Sequence, residues 1–180
     1  MEYYIIEYDR RLPQQGAIQW PERMRRGYEQ TADEEMVYVK QGEVFTSPCI
    51  VNHYPIQLYV EELSRIMLKM ESDLHHKRIV VMNLEQQNQT FYEWIELPQV
   101  SWMAPEAVQV QAGQVNGIAL GHQGLSESSI WCVPYYRSYL TIVGLEVAEK
   151  LLKAGIYGLI VRPIQITGGE LDGNYRYGTR

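Results

Sequence analysis

The side chains that could do chemistry are few. Four histidines, two cysteines and a serine cluster are the first nucleophile and base candidates outside the carboxylates. His122 sits in Gly121-His122-Gln123-Gly124, with Ser126, Ser128 and Ser129 close behind. A serine nucleophile needs a base and an orienting acid. No Gly-x-Ser-x-Gly elbow accompanies these serines. His75 and His76 are adjacent, so on a helix or a strand their rings diverge and one ion could hardly take both. A solvated helix end is the expectation there, where a histidine would favour the helix dipole. Cys49 and Cys132 form no Cys-x-x-Cys pair, so a zinc ribbon and a thioredoxin-like redox site are both excluded. Two free buried thiols are expected. The pairs Glu34-Glu35 and Glu61-Glu62 lie in polar stretches and read as solvated faces. Gly113 to Gly121 does not fit a dinucleotide-binding glycine pattern, and neither a Walker motif nor an EF-hand loop is present. The sequence therefore offers no catalytic, cofactor-binding or metal site. An enzyme would have to assemble one from distant residues such as His53, His122 and Cys132.

Recognition chemistry is better represented. Trp131, Tyr135, Tyr136 and Arg137 cluster around Pro134. Tryptophan, tyrosine and arginine dominate the energetic centres of protein interfaces, so these four residues are the candidate partner-binding patch. Ordinary strand packing is the competing explanation. The chain as a whole is tyrosine-rich, with 14 Tyr and 4 Trp against 2 Phe. That usage suits half-buried strands as well as binding surfaces.

The elements that must carry these residues follow from periodicity. Tyr3 to Tyr8, Met36 to Lys40, Ile79 to Met82, Thr90 to Leu97 and Ser129 to Val133 read as strands. The run Ile79-Val80-Val81-Met82 reads as a strand buried on both faces. Val108 to Val110 and Val115 to Leu120 read as a hairpin around Ala112-Gly113. Glu22 to Gln30 is a short charged helix candidate. Pro55 to Leu74 reads as a helix, from Val60, Leu63, Met67, Met70 and Leu74 at three- and four-residue spacing and Pro55 at a first helical position.

A strand–helix–strand unit runs from Tyr139 to Ile166. Gly144 stands at the helix N-cap. Leu145, Ala148, Leu151 and Leu152 supply the apolar stripe, and Gly155 supplies the left-handed stop. Glu146–Lys150 and Glu149–Lys153 are favourable i,i+4 pairs. Gly158 and Pro163 predict a bulge or an edge position in the last strand. Cys49-Ile50-Val51, the first helix and Ile79 to Leu84 repeat the same order, without a residue-level repeat. The expected fold is α+β: a mixed, largely antiparallel sheet with two main helices in strand–helix–strand units. Residues 1–180 form one domain, with Gly168 to Arg180 as a peripheral tail.

Composition narrows the setting. With 180 residues, 46% hydrophobic and 21% charged, the chain supports a sizeable core. A net charge of −6 has the wrong sign for a nucleic-acid binder. No basic, apolar leader opens the sequence and no stretch approaches the roughly 18–20 apolar residues of a membrane span. A cytoplasmic protein is expected, without membrane or nucleic-acid partners.

One resemblance stands beside this. The strand Tyr92-Glu93-Trp94-Ile95-Glu96-Leu97-Pro98, the strand Gln114 to Leu120, the segment Ser129 to Val133 and the stretch from Ile142 to Leu159 are similar to the family numbered eleven among immunity proteins of bacterial polymorphic toxin systems. That family was earlier catalogued as a domain of unknown function. The opening Tyr3-Tyr4-Ile5-Ile6 is similar as well. The resemblance implies an antitoxin-like protein that binds a cognate toxin, encoded nearby, and blocks it by occlusion without catalysis. The alternatives are a small hydrolase-like enzyme or a homodimeric interaction module.

Overall fold

The aromatic and β-branched segments become strands, and the strands form two sheets rather than one. The computed structural model describes residues 2–13, 17–100, 108–111, 114–120 and 128–168. In chain order these hold β1 (Tyr3–Tyr8), β2 (Ile18–Gln19), α1 (Glu22–Arg25), β3 (Glu34–Val39), β4 (Ile50–His53), β5 (Ile56–Val60), α2 (Glu61–Met70), β6 (His76–Asn83) and β7 (Asn88–Ile95). They continue with β8 (Val108–Gln111), β9 (Gln114–Leu120), β10 (Ile130–Tyr135), β11 (Ser138–Gly144), α3 (Leu145–Ala154) and β12 (Leu159–Gly168). The fold is α+β, and both sheets are mixed and mostly antiparallel.

The two sheets share one plan. One has the order β4-β5-β7-β6-β3-β2, the other β10-β11-β1-β12-β9-β8. Each begins with an antiparallel edge hairpin, β4–β5 or β10–β11. A helix leaves its inner strand, α2 after β5 and α3 after β11, and the return strand β6 or β12 lies two places along. An antiparallel strand fills the slot between: β7 in one sheet, β1 in the other. A parallel neighbour follows, β3 or β9, and carries an antiparallel edge strand. The repeated order seen around the two helices therefore extends to all six strands. The difference is covalent. β7 follows β6 directly in the chain, whereas β1 reaches its slot from the other end of the sequence.

The main core lies where the two sheets and both long helices meet. Ile6, Cys132 and Val143 of one sheet pack there with Ile50, Tyr59 and Ile95 of the other, under Leu63 and Met67 of α2 and Val147 and Leu151 of α3. Polar side chains cross the same boundary. Gln57 Nε2 donates to Thr141 Oγ1 at 2.8 Å, and Tyr59 shares a 2.8 Å hydrogen bond with the same hydroxyl. Two further clusters line the outer faces. Trp131, Ile142 and Ile164 belong to one, and Trp20, Met24, Leu58 and Trp94 to the other.

Several expectations are corrected. The helix expected from Pro55 to Leu74 spans only Glu61–Met70. Pro55 follows a cis peptide bond in the β4–β5 turn, and Ile56–Val60 is a strand. Its β-branched and aromatic residues outweighed the helical spacing once it could pair with β4 and β7. Ile79 and Val81 are buried while Val80 and Met82 are partly exposed, so β6 has one buried face, not two. The segment Glu22 to Gln30 is broken. α1 ends at Arg25, and Gly27, at φ +115°, leads into a 3₁₀ turn at Tyr28–Gln30. On α3 the buried face is Val147, Ala148 and Leu151, with Leu145 and Leu152 exposed. Glu146 and Lys150 pair at 2.9 Å, whereas Glu149 and Lys153 make no ion pair among the described residues.

Gly144 and Gly155 bound α3 as expected, Gly155 at φ +65°. Pro163 is inside the sheet, opposite Tyr4 of β1. The ladder to β9 starts only at Gln165, so the proline has a paired neighbour on one side only. The hairpin partners β8 and β9 form as expected, while Ala112-Gly113 lies outside the described residues. Gly168 ends β12, and the remainder of the expected tail also lies outside them.

Candidate functional site

The β10–β11 hairpin turns in two residues. Tyr135 pairs with Ser138, which leaves Tyr136-Arg137 as the loop. Such short turns favour glycine or asparagine where φ is positive, because a Cβ there crowds the backbone. Here the position is held by Tyr136 at φ +52°, and its residue is 82% exposed. The ring meets that of Tyr135 edge-on, with centroids 4.6 Å apart. Arg137 is exposed beside it. The turn thus holds a bulky aromatic in a disfavoured backbone conformation and presents it to solvent.

Trp131, the fourth member of the expected patch, is elsewhere. It is fully buried in the outer core of its sheet, edge-on to Tyr3 at 5.9 Å. Alternation explains this: Trp131, Val133 and Tyr135 point to one face of β10, and only the end of that row reaches the surface. Trp131 is therefore a packing residue and not part of a binding surface.

Beside the turn is a cleft of about 630 Å³ that the sequence did not announce. Leu140, Ile160 and Val115 line it, with Tyr135 and Tyr136 on one wall. Arg162 bonds Glu7 across it at 2.8 Å and donates to the Val115 carbonyl at 2.6 Å, tying β12 to β1 and β9. Asp9 and Arg11 form a second pair at 2.7 Å. The Arg11 guanidinium and backbone N–H hold the Asp9 carboxyl down at about 2. Each lining carboxylate therefore has its own arginine. Arg10 in the lining and Arg137 on the turn have no carboxylate partner among the described residues.

The cleft opens because β1 and β11 separate. Their ladder ends at Ile6–Thr141, although β1 continues to Tyr8 and β11 begins at Ser138. The Asn52 side chain substitutes for the missing strand. Its amide donates to the Tyr139 carbonyl at 2.9 Å and accepts from the Tyr139 N–H at 3.4 Å. A second cleft, of about 540 Å³, follows the same separation and shares Glu7, Tyr8, Arg10, Ser138 and Leu140 with the first.

The catalytic candidates do not converge among the described residues. His53 is exposed and stacks on Trp20 at 5.7 Å, next to the outer core of its sheet. Cys132 is buried between the sheets, its thiol 3.9 Å from the Leu97 carbonyl and pushed up to about 12 by burial. Cys49 is buried and free as well, its thiol likewise pushed up to about 12 by burial. His122 and Ser126 lie outside the described residues. Ser128 and Ser129 serve a structural purpose. Both hydroxyls and the backbone N–H groups of Ser129 and Ile130 donate to the Glu71 carboxylate, which fastens the end of α2 to the start of β10.

His75 and His76 do not sit at a helix end. α2 stops at Met70, and His76 opens β6, so the helix-dipole role does not apply. Glu35, expected on a solvated face, is buried and held by Arg23 at 2.5 Å. No group of three or more metal-ligating side chains occurs among the described residues. No helix is long and apolar enough to cross a membrane, again among those residues.

The cleft residues Glu7, Arg10 and Arg162 escaped sequence reading. Nothing local marks them, since they come together only when β1 enters the slot beside β12. Comparison of the chain with protein-family models finds no match, and the search of curated proteins finds no relative.

Proposed function

We propose that this chain is an antitoxin-like immunity protein, which binds a cognate bacterial toxin and neutralises it by occlusion rather than by catalysis. The observation that carries the reading is the Tyr136 turn. A tyrosine held at positive φ and left exposed, with Tyr135 and Arg137 beside it, is an expensive way to end a hairpin unless the ring has a partner. Tyrosine and arginine are the residue types on which protein interfaces concentrate their energy. The biological class in this reading rests on the resemblance of Tyr92 to Pro98, Gln114 to Leu120, Ser129 to Val133 and Ile142 to Leu159 to the immunity family. The reading expects a toxin-like gene beside this one, and the test is co-expression with it, together with pull-down of its product. Survival of the cells and a stable complex are the expected result. If the cells die and no complex forms, the reading is wrong.

A homodimeric interaction module is the second reading, favoured by a different surface. Met36, Val80 and Phe91 form one row across β3, β6 and β7. Met36 and Phe91 are exposed there, 49% and 36%. Light scattering on the purified protein separates the two readings: a dimer that Phe91→Asp dissolves supports the second.

A further inference from the structure

Three surfaces compete for a ligand: the apolar row on β3, β6 and β7, the cleft beside Cys132, and the cleft beside the Tyr136 turn. The apolar row carries nothing in the structure that says what covers it. The cleft beside Cys132, about 310 Å³, offers a buried thiol that burial keeps protonated, and no histidine in its lining. The third surface combines charge, shape and backbone.

We propose that the cleft between the end of β1 and the β10–β11 turn receives an extended acidic segment of a protein partner. This rests on the reading of the chain as a partner-blocking protein and names the chemistry of the contact. Charge selects the class of ligand. The protein is acidic overall, at −6, yet Arg10 in the lining and Arg137 on the adjoining turn have no carboxylate partner among the described residues. Glu7 and Asp9 are already matched one to one by Arg162 and Arg11, so the surplus falls on Arg10 and Arg137. A basic or neutral segment would leave that surplus unmet. An acidic one meets it on arrival and is steered there by it.

Shape selects an extended segment. Past the point where β1 and β11 separate, the second cleft adjoins this one through shared lining residues, so open space follows two strand ends. Its apolar floor of Leu140 and Ile160 accepts side chains that alternate with the carboxylates, as an extended backbone presents them. The exposed ring of Tyr136 covers one wall. In this arrangement Arg10 and Arg137 bind carboxylates, Tyr135 and Tyr136 bury apolar area, and the Glu7–Arg162 pair keeps the floor from presenting a free negative charge.

The experiment uses the full-length protein and a displayed library of random dodecapeptides. Enriched sequences are synthesised twice, once as selected and once with every Asp and Glu replaced by Asn and Gln. Enrichment of acidic peptides is expected, with affinity at least about tenfold weaker for the amide versions and falling as salt rises. The double variant R10E/R137E, which alters only exposed side chains and should melt as the wild type does, is expected to lose the acidic peptides. The variant Tyr136→Ala should weaken them as well. Neutral or basic winners, no enrichment at all, or full affinity in the double variant would each overturn the proposal. So would binding that Phe91→Asp abolishes. The same double variant separates this proposal from the functional reading. If it still protects cells that the wild type protects, the cleft is wrong and the immunity reading stands. If the wild type protects nothing but binds acidic peptides through Arg10 and Arg137, the immunity reading falls and the cleft stands.

Discussion

Tyr136 pays for its exposure in backbone energy, and that cost is measurable. A non-glycine residue in the left-handed region costs on the order of 1–2 kcal/mol, while asparagine tolerates it far better. Tyr136→Asn should therefore stabilise the protein by about 1 kcal/mol in urea unfolding, while weakening the toxin protection proposed above. A substitution that raises stability and lowers function at once marks a residue retained for its contacts. If stability and protection instead fall together, Tyr136 is simply part of the scaffold. At this scale the sequence was only half informative. Residue type singled out Tyr135, Tyr136 and Arg137 as a candidate patch, and the structure places them at one hairpin turn. It also drew in Trp131, because type alone does not say which face of a strand a side chain occupies. Parity along β10 does, and that requires knowing where the core lies.

At the scale of elements, the unusual strand is β1. It fills the slot that β7 fills in the other sheet, but without the short connection that joins β6 to β7. The equivalent connection would join β12 to β1, which already lie antiparallel with Ile164 opposite Tyr3. A permuted chain that starts at Ile18 and carries residues 2–13 after Gly168 through a short glycine linker should fold to the same sheets. Its far-ultraviolet circular dichroism should match the parent, and a cooperative melt should persist. Loss of the cooperative transition would mean that the native entry of β1, through the segment before β2, is needed to hold it. Much of the element structure was legible. The strands of the C-terminal half, the α3 boundaries and the Gly155 stop follow from local chemistry. The misread stretch, Pro55 to Val60, is a short apolar run whose spacing fits either period, and pairing with β4 and β7 decided it. The slot of β1 had no local signal, since strand order is a property of long-range pairing.

For the molecule as a whole, its buried and half-buried thiols and phenols set its tolerance to alkali. Burial raises the thiols of Cys49 and Cys132 to about 12, and raises the Tyr139 phenol to about 12. Burial pushes Tyr59 and Tyr92 up as well. Free thiols ionise near pH 8.5 and free phenols near pH 10. Below those values both states are neutral and nothing is lost. Above them the unfolded chain releases protons that the folded one retains, so stability falls as pH rises from about 8.5 towards about 12. Of the tyrosine ionisation followed at 295 nm, the part due to Tyr59, Tyr92 and Tyr139 should therefore lag behind free tyrosine and appear only with the loss of circular dichroism. Completion of the 295 nm signal before unfolding would show that these phenols reach water in the native state. The two thiols should also resist alkylation at pH 8 until the protein is unfolded.

The borrowed position of β1 also bears on how the chain is made. β1 leaves the ribosome first, yet its two partners, β11 and β12, come last. The sheet of β2 to β7 has all its strands in hand by Ile95 and can close during synthesis. Through all of that time Tyr3-Tyr4-Ile5-Ile6 has no neighbour to pair with. An apolar strand left waiting is the kind of segment that sticks to other nascent chains or to a chaperone. Slow translation, which lengthens the wait, should lower the soluble yield of this chain more than that of the permuted one, in which the strand is made immediately after its slot has formed.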